Sequence, residues 1–252
     1  VKVDPIRGYR TRTLNEFPDG SRILNLDLQG RKLYMREADG RERVVPFDYD
    51  AGAIQIAVLC AGPDGKIYGA TAHPSQLFVY DPALNELYFY PGNSIGLKSL
   101  RVQGKYVFGG QYTGGVFWLI DTSKPISWTP ASSIRGRRIS EPEPGAGAGA
   151  NPLRLGGFAP DLNIPRNAFA HPAGKHIMIS GQPGYGFVGG GLVIYNLETK
   201  KSAVLTHKNL YRDYSTMAIA AMPDGNLLCG TSPKGGHGTK AVHGRAALYI
   251  LD

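Results

Sequence analysis

Several residue types and patterns that define common protein classes are scarce in this chain of 252 residues. Charged residues make up 19%, below the roughly 25% of an average globular protein, and a coiled coil would need many more Glu, Lys and Arg. No run of about 18 apolar residues occurs, which excludes a transmembrane helix. Hydrophobic residues reach 42%, which excludes a disordered chain because a core can form. We therefore expect a globular domain that is not a membrane protein.

Cysteine is also rare, and Cys60 and Cys229 are the two thiols of the chain. Two thiols cannot form a disulfide framework, and neither cysteine lies in a spacing typical of a metal site. Because they belong to different repeats, we expect both to be free and buried. No GxSxG, HExxH or paired catalytic carboxylate motif appears. The sequence thus predicts no metal and no cofactor, and leaves open whether the protein is an enzyme.

Glycine and proline, in contrast, are abundant at 34 and 18 residues. Such an excess indicates many tight turns, and hence short strands. A two-residue turn, usually Asp-Gly, recurs five times, and a short apolar run follows each turn. The turns lie at Asp19-Gly20, Asp64-Gly65, Gln103-Gly104, Ala173-Gly174 and Asp224-Gly225. Self-similarity at about 45 residues is the signature of a repeat architecture.

Each repeat contains four short apolar runs without the pattern of an amphipathic helix, which predicts four antiparallel strands. One small sheet cannot bury both faces alone, whereas sheets stacked around an axis cover each other. The fold class is therefore all-β, a β-propeller of four-stranded blades, either a closed ring of five or part of a ring of six to eight. A β-sandwich is the alternative, but it would not explain the repeat. The expected blades are 9–48, 53–91, 97–130, 164–208 and 214–252, with a flexible insertion at 131–163.

The unit GPDGKIYGATAHPSQLFVYDPALNEL at 62–87 resembles a blade of the bacterial repeat propellers, which are grouped with kelch-like, WD40-like and PQQ-like families. The chain has neither the Trp-Asp signature of WD40 proteins nor the double glycine of strict kelch repeats. The resemblance implies the fold, and it carries no functional residue with it. Such propellers are often exported, so the resemblance also implies a secreted or periplasmic protein.

The topology of a blade predicts where a binding site would lie. If the strands are labelled a to d from the axis outward, the a–b and c–d turns share one face, and the b–c loops and d–a connections share the other. The a–b and c–d turns are tight, with Asp81 and Asp121 recurring as turn formers. Longer loops held by a rigid scaffold commonly carry binding residues. The long b–c loops are 71–76, 109–115, 180–191 and 230–245.

The side chains of this b–c loop face suggest its chemistry. His and Tyr can act as bases, Gln can hydrogen-bond sugar hydroxyls, and Lys and Arg can pair with carboxylate or sulfate. The candidates for a catalytic base are His73, Tyr112, Tyr185 and His237. The candidates for ligand binding are Gln111, Gln182, Lys234, Lys240, His243 and Arg245.

The formal net charge of +8 favours anionic partners. The first hypothesis is a ligand-binding propeller that recognises an anionic carbohydrate or a protein. The second is a polysaccharide lyase on uronic-acid glycans; a glycoside hydrolase has less support because the b–c loops offer few carboxylates. The third is a protein-interaction module of a larger polypeptide. Nucleic acid is the least favoured partner, because the aromatic residues belong to strand patterns without a basic stripe.

Overall fold

Antiparallel β-sheets form all of the regular secondary structure in the residues that the computed structural model describes, which are 16–27, 31–48, 55–73, 75–89, 95–126, 149–242 and 244–252. The chain divides into two compact units, Val1–Gly52 and Ala53–Asp252. The first unit contains one sheet, in the order β1-β2-β3. Its strands are β1 (Arg22–Asp27), β2 (Lys32–Arg36) and β3 (Glu42–Pro46).

The second unit contains four sheets, and in each of them the strands pair in chain order. The first sheet has β4 (Gln55–Ala61), β5 (Ile67–Ala72), β6 (Leu77–Asp81) and β7 (Glu86–Phe89). The second has β8 (Leu97–Gln103), β9 (Tyr106–Gln111), β10 (Val116–Asp121) and β11 (Leu153–Gly156). The third has β12 (Ile164–Ala170), β13 (His176–Gln182), β14 (Leu192–Asn196) and β15 (Ser202–Leu205). The fourth has β16 (Ser215–Ala221), β17 (Leu227–Ser232) and β18 (Leu248–Leu251).

The four sheets of the second unit pack side by side. The first strand of each sheet contacts the first strand of the next, so β4, β8, β12 and β16 are the innermost strands. Three apolar cores fill the spaces between consecutive sheets, and they centre on Leu77 and Trp118, on Phe117 and Ile177, and on Met178 and Cys229. Meandering sheets of three or four strands stacked in this way are propeller blades, which confirms the expected all-β propeller fold.

The turns have the chemistry that their sequences predict. Gly65 and Gly225 have φ values of 80° and 92°, a region in which glycine has no steric cost. At the c–d turns, the Asp81 carboxylate accepts hydrogen bonds from the Ala83 and Leu84 amides at 3.0 and 3.3 Å. The Asp121 carboxylate accepts one from the Ser123 amide at 3.1 Å. Both aspartates are therefore turn formers, as the repeat predicted.

The prediction of an insertion over 131–163 is wrong for the later part of this range. Its later part contains β11, which pairs with β10 as the fourth strand of the second sheet in this unit. Asn151 joins this strand to the end of β10, because its carboxamide accepts a hydrogen bond from the Asp121 amide at 2.9 Å and donates one to the Asp121 carbonyl at 2.9 Å. The long connection is therefore a c–d connection, which starts at the face opposite the b–c loops. The run LRLG is short and follows a long interruption of the repeat, so its sequence does not mark it as a blade strand.

The cysteines are both free, as expected, but they differ in burial. Cys229 is buried, whereas Cys60 is half-buried. Desolvation raises the pKa of the Cys60 thiol to about 11 and also raises that of Cys229. Both thiols are thus protonated at neutral pH. In the described part of the chain, no helix has the length and apolar character needed to cross a membrane.

Packing between the blades can be tested at two glycines in equivalent positions. Gly110 and Gly230 lie on the second strands of their sheets, and each pairs with the residue that follows a bulge in the first strand. A Cβ at Gly110 would lie 2.4 Å from the Pro165 Cβ in the next blade, whereas a Cβ at Gly230 would have 3.7 Å to its nearest neighbours.

We expect Gly110→Ala to lower the free energy of unfolding by about 1–3 kcal/mol, because an overpacked core must shift. Gly230→Ala is the matched control and should change it by less than about 0.5 kcal/mol. Denaturant unfolding followed by circular dichroism measures both. Equal effects of the two substitutions would contradict the close packing of these blades.

Candidate functional site

The loops that follow the second strand of each sheet come together at one end of the second unit. In an antiparallel meander, the b–c loops and the d–a connections lie at the same end of the strands. The observed strand bounds place the b–c loops at 73–76, 112–115, 183–191 and 233–247. Backbone hydrogen bonds join these loops to the d–a connections at 157–163 and 206–214. The Gly184 amide, for example, donates to the Pro160 carbonyl at 2.7 Å.

Tyr112 and Tyr185 join two neighbouring b–c loops. Their hydroxyl groups hydrogen-bond each other across the gap between the second and third sheets of the unit. The Tyr112 backbone amide also donates to the Gly96 carbonyl at 3.2 Å, which ties its loop to the preceding d–a connection. The hydrogen bond to Tyr185, followed by desolvation, raises the pKa of the Tyr112 phenol. Tyr112 is therefore held in its protonated form.

His237 extends this pair into a third loop. Its ring meets the Tyr185 ring edge-on, with centroids 5.2 Å apart and an interplanar angle of 80°. The two loops also share backbone hydrogen bonds, from the Gly186 amide to the His237 carbonyl at 3.0 Å and from the Gly236 amide to the Phe187 carbonyl at 2.9 Å. A Cβ at Gly236 would lie 1.9 Å from the Gly184 carbonyl oxygen, so this close approach requires glycine.

Three of the four candidate bases thus form one continuous group, which we call the Tyr–Tyr–His array (Tyr112, Tyr185 and His237). Tyr185 is 55% exposed, His237 is exposed and Tyr112 is half-buried. An exposed aromatic array offers both apolar ring faces and hydroxyl groups to a ligand.

His73, the fourth candidate base, lies apart from this array. It is exposed in the b–c loop of the first sheet of the unit, with a φ of 58°. Among the described residues, no hydrogen bond or ring contact joins it to the three members of the array. The structure therefore brings together Tyr112, Tyr185 and His237, but not His73.

The two candidate glutamines are engaged in contacts within their own blades. The Gln111 amide oxygen accepts a hydrogen bond from the Trp118 indole at 2.7 Å. The Gln182 amide oxygen accepts one from the Arg166 Nε at 2.9 Å. Arg166 lies on β12. Its contact with Gln182 could not be predicted, because the run NIPRNAFA has the pattern of an ordinary strand.

The candidate cations are all in the last b–c loop. Lys234, Lys240 and Arg245 are exposed, while His243 lies outside the described residues. The Lys234 backbone carbonyl accepts a hydrogen bond from the Ser215 hydroxyl at 3.3 Å, which anchors the loop at the start of β16. Within the described ranges, no group of three or more His, Cys, Asp or Glu could hold a metal ion.

Comparison with known proteins finds similar solved structures at low sequence identity. No family model and no curated protein matches the sequence. A streptogramin B lyase structure is 12% identical, with a TM-score of 0.46, and the match covers 85% of this chain and 59% of that chain. Virginiamycin B lyase from Staphylococcus aureus is 9% identical, with a TM-score of 0.46, over 93% of this chain and 67% of that one.

An extracellular domain of a hybrid two-component system from B. thetaiotaomicron is 13% identical, with a TM-score of 0.45, over 89% of this chain and 25% of that chain. The chain thus spans less than two thirds of the streptogramin B lyase and about a quarter of the extracellular domain. Likenesses at this identity and TM-score say nothing about the function of this chain.

The hydrogen bond between the two tyrosines predicts a specific pKa change. In Tyr185→Phe, Tyr112 loses the partner that stabilises its protonated form, so the pKa of Tyr112 should fall toward the ordinary value of 10.0. Because folding raises this pKa, the bond stabilises the fold below pH 10 and that contribution is lost as the pH rises through the folded-state pKa. NMR titration of tyrosine ring carbons measures the shift, with Tyr88→Phe as the control. An unchanged Tyr112 pKa in Tyr185→Phe would contradict the contact.

Proposed function

We propose that this chain is a ligand-binding propeller whose b–c loop face recognises an anionic carbohydrate through the Tyr–Tyr–His array. The observation that carries the proposal is the array itself, in which three loops from three successive blades bring Tyr112, Tyr185 and His237 into contact. Sites for small ligands combine apolar surface with a few convergent polar groups. The array offers this combination, because each tyrosine has an apolar ring and a polar hydroxyl.

The charge of the b–c loops supports an anionic ligand. These loops carry Lys234, Lys240 and Arg245 and contain no Asp or Glu. A cluster of positive charges raises the local concentration of anionic ligands and accelerates their binding. Arg and Lys also bind carboxylate and sulfate groups directly. An acidic sugar polymer matches both the aromatic and the cationic features of this face.

Binding has more support than catalysis by a tyrosine base. A lyase needs a base that can lose its proton near neutral pH, and the hydrogen bond from Tyr185 raises the pKa of Tyr112. This bond therefore disfavours the phenolate that a base would require. We expect the protein to act outside the cytoplasm, secreted or periplasmic, where acidic polysaccharides are accessible to it.

Calorimetric titration with oligogalacturonate and with neutral dextran tests the proposal. We expect the uronate to bind and dextran to bind more weakly, with an affinity for the uronate that falls as salt rises. Tyr185→Ala should weaken uronate binding about tenfold, as exposed aromatic anchors do. Tyr88→Ala is the matched control, because Tyr88 is 40% exposed on the outer strand β7, and it should bind like the original protein.

Any of the following results would overturn this proposal. If dextran bound as tightly as the uronate, or if Tyr185→Ala bound like Tyr88→Ala, the array would not be a site for an anionic sugar. If the absorbance of an unsaturated uronate rose during incubation and the rise were lost in His237→Ala, the protein would be a lyase. Binding of neither probe would favour a protein partner.

A further inference from the structure

The four innermost strands of the second unit each contain a β-bulge, at the equivalent position near the start of the strand. In each, one extra residue interrupts the pairing with the second strand, so that the register shifts there. Such β-bulges are features that re-aim a side chain, and they are frequent next to functional sites. The extra residues are Ala57 in β4, Lys98 in β8, Arg166 in β12 and Met217 in β16.

The bulges lie near the b–c loop face. Each is close to the start of its strand, and the innermost strands start at the end of the blade where the b–c loops leave. Arg166 shows this connection directly, because its Nε donates to the Gln182 amide oxygen at 2.9 Å. Gln182 is the last residue of β13, immediately before the loop that carries Tyr185.

Two adjacent bulges carry a positive charge. Lys98 and Arg166 occupy the extra positions of β8 and β12, the innermost strands of neighbouring blades. The two blades are in close contact beside these bulges. Gly110 pairs with Ser99, the residue after Lys98. A Cβ at Gly110 would lie 2.4 Å from the Cβ of Pro165, the residue before Arg166. In the described part of the chain, neither Lys98 nor Arg166 has an acidic partner within ion-pair distance.

The bulge itself does not need a cation. Ala57 and Met217 occupy the same position in β4 and β16, so an apolar side chain is compatible with this backbone. The bulge backbone therefore does not require the positive charges of Lys98 and Arg166. Arg166 is exposed and Lys98 is half-buried, which leaves both accessible to a ligand on the loop face.

We propose that Lys98 and Arg166 form an anion subsite that binds the carboxylate of a uronate residue, next to the Tyr–Tyr–His array. The inference rests on the proposed function and names the residues that select the charged form of the ligand. The guanidinium of Arg166 can bind a carboxylate with its terminal nitrogens while Nε holds Gln182. Lys98 supplies a second positive charge from the neighbouring blade.

The test compares oligogalacturonate with its methyl ester, in which the same sugars have no negative charge. The original protein should prefer the free acid by about tenfold or more, since a charge-assisted hydrogen bond contributes more than a neutral one. Arg166→Met and Lys98→Met should each weaken binding of the acid about tenfold and leave binding of the ester unchanged. Methionine is chosen because Met217 occupies the same bulge in β16.

Controls separate the subsite from the net charge and from folding. Lys201→Met removes one positive charge at a c–d turn, at the opposite end of the strands, and should leave the preference for the acid unchanged. Lys98→Met leaves the Arg166–Gln182 hydrogen bond in place, so it remains informative if Arg166→Met unfolds. Arg166→Lys keeps the charge without the planar donor group and should lose less affinity than Arg166→Met.

The outcomes distinguish this inference from the function on which it rests. If both methionine variants keep the preference for the acid, the subsite is wrong while the loop face can still bind an anionic sugar. If the original protein binds acid and ester equally, the anionic selectivity of the proposed function fails together with the subsite. Tyr185→Ala should weaken both ligands, because the array contacts the sugar and not its charge. If neither ligand binds, the proposed function fails and the subsite fails with it.

Discussion

The burial of each blade against the next is the interaction on which the second unit depends. A four-stranded sheet of this size has two apolar faces and cannot cover either alone, so its neighbours must cover them. Phe117 and Ile177 belong to the apolar core at one such boundary and are both fully buried. Next to this core, Gly110 lies so close to Pro165 that a side chain at position 110 would clash with the proline ring. The position of every innermost strand, and therefore of every bulge and loop, follows from this packing.

The same packing explains why one end of the blades carries the candidate site. The a–b turns and the short c–d turns are closed by aspartate caps and glycines with positive φ, as at Asp81 and Gly65. The b–c loops of consecutive blades lie within hydrogen-bonding distance of each other. Tyr185 therefore reaches Tyr112 in one neighbour and His237 in the other. Gly236 permits the second contact because a side chain there would meet the backbone of the loop beside it.

Much of the fold could be predicted from the sequence, because its signals are local. Asp-Gly turns and short apolar runs mark the strands, and the repeat assigns them to blades. The strand β11 was missed because its pairing with β10 joins residues on either side of a long interruption. The grouping of Tyr112, Tyr185 and His237 on one face followed from topology. The contacts of Gln111 with Trp118 and of Arg166 with Gln182 did not, because they depend on side-chain positions that no local pattern encodes.

A crystal structure of the protein soaked with oligogalacturonate is the most direct test of the central claim, that the b–c loop face of the propeller is an anionic carbohydrate site. We expect density for a sugar ring against Tyr185 and His237, with a carboxylate directed toward the bulges of β8 and β12. Density on any other surface, such as the c–d turns, would contradict it.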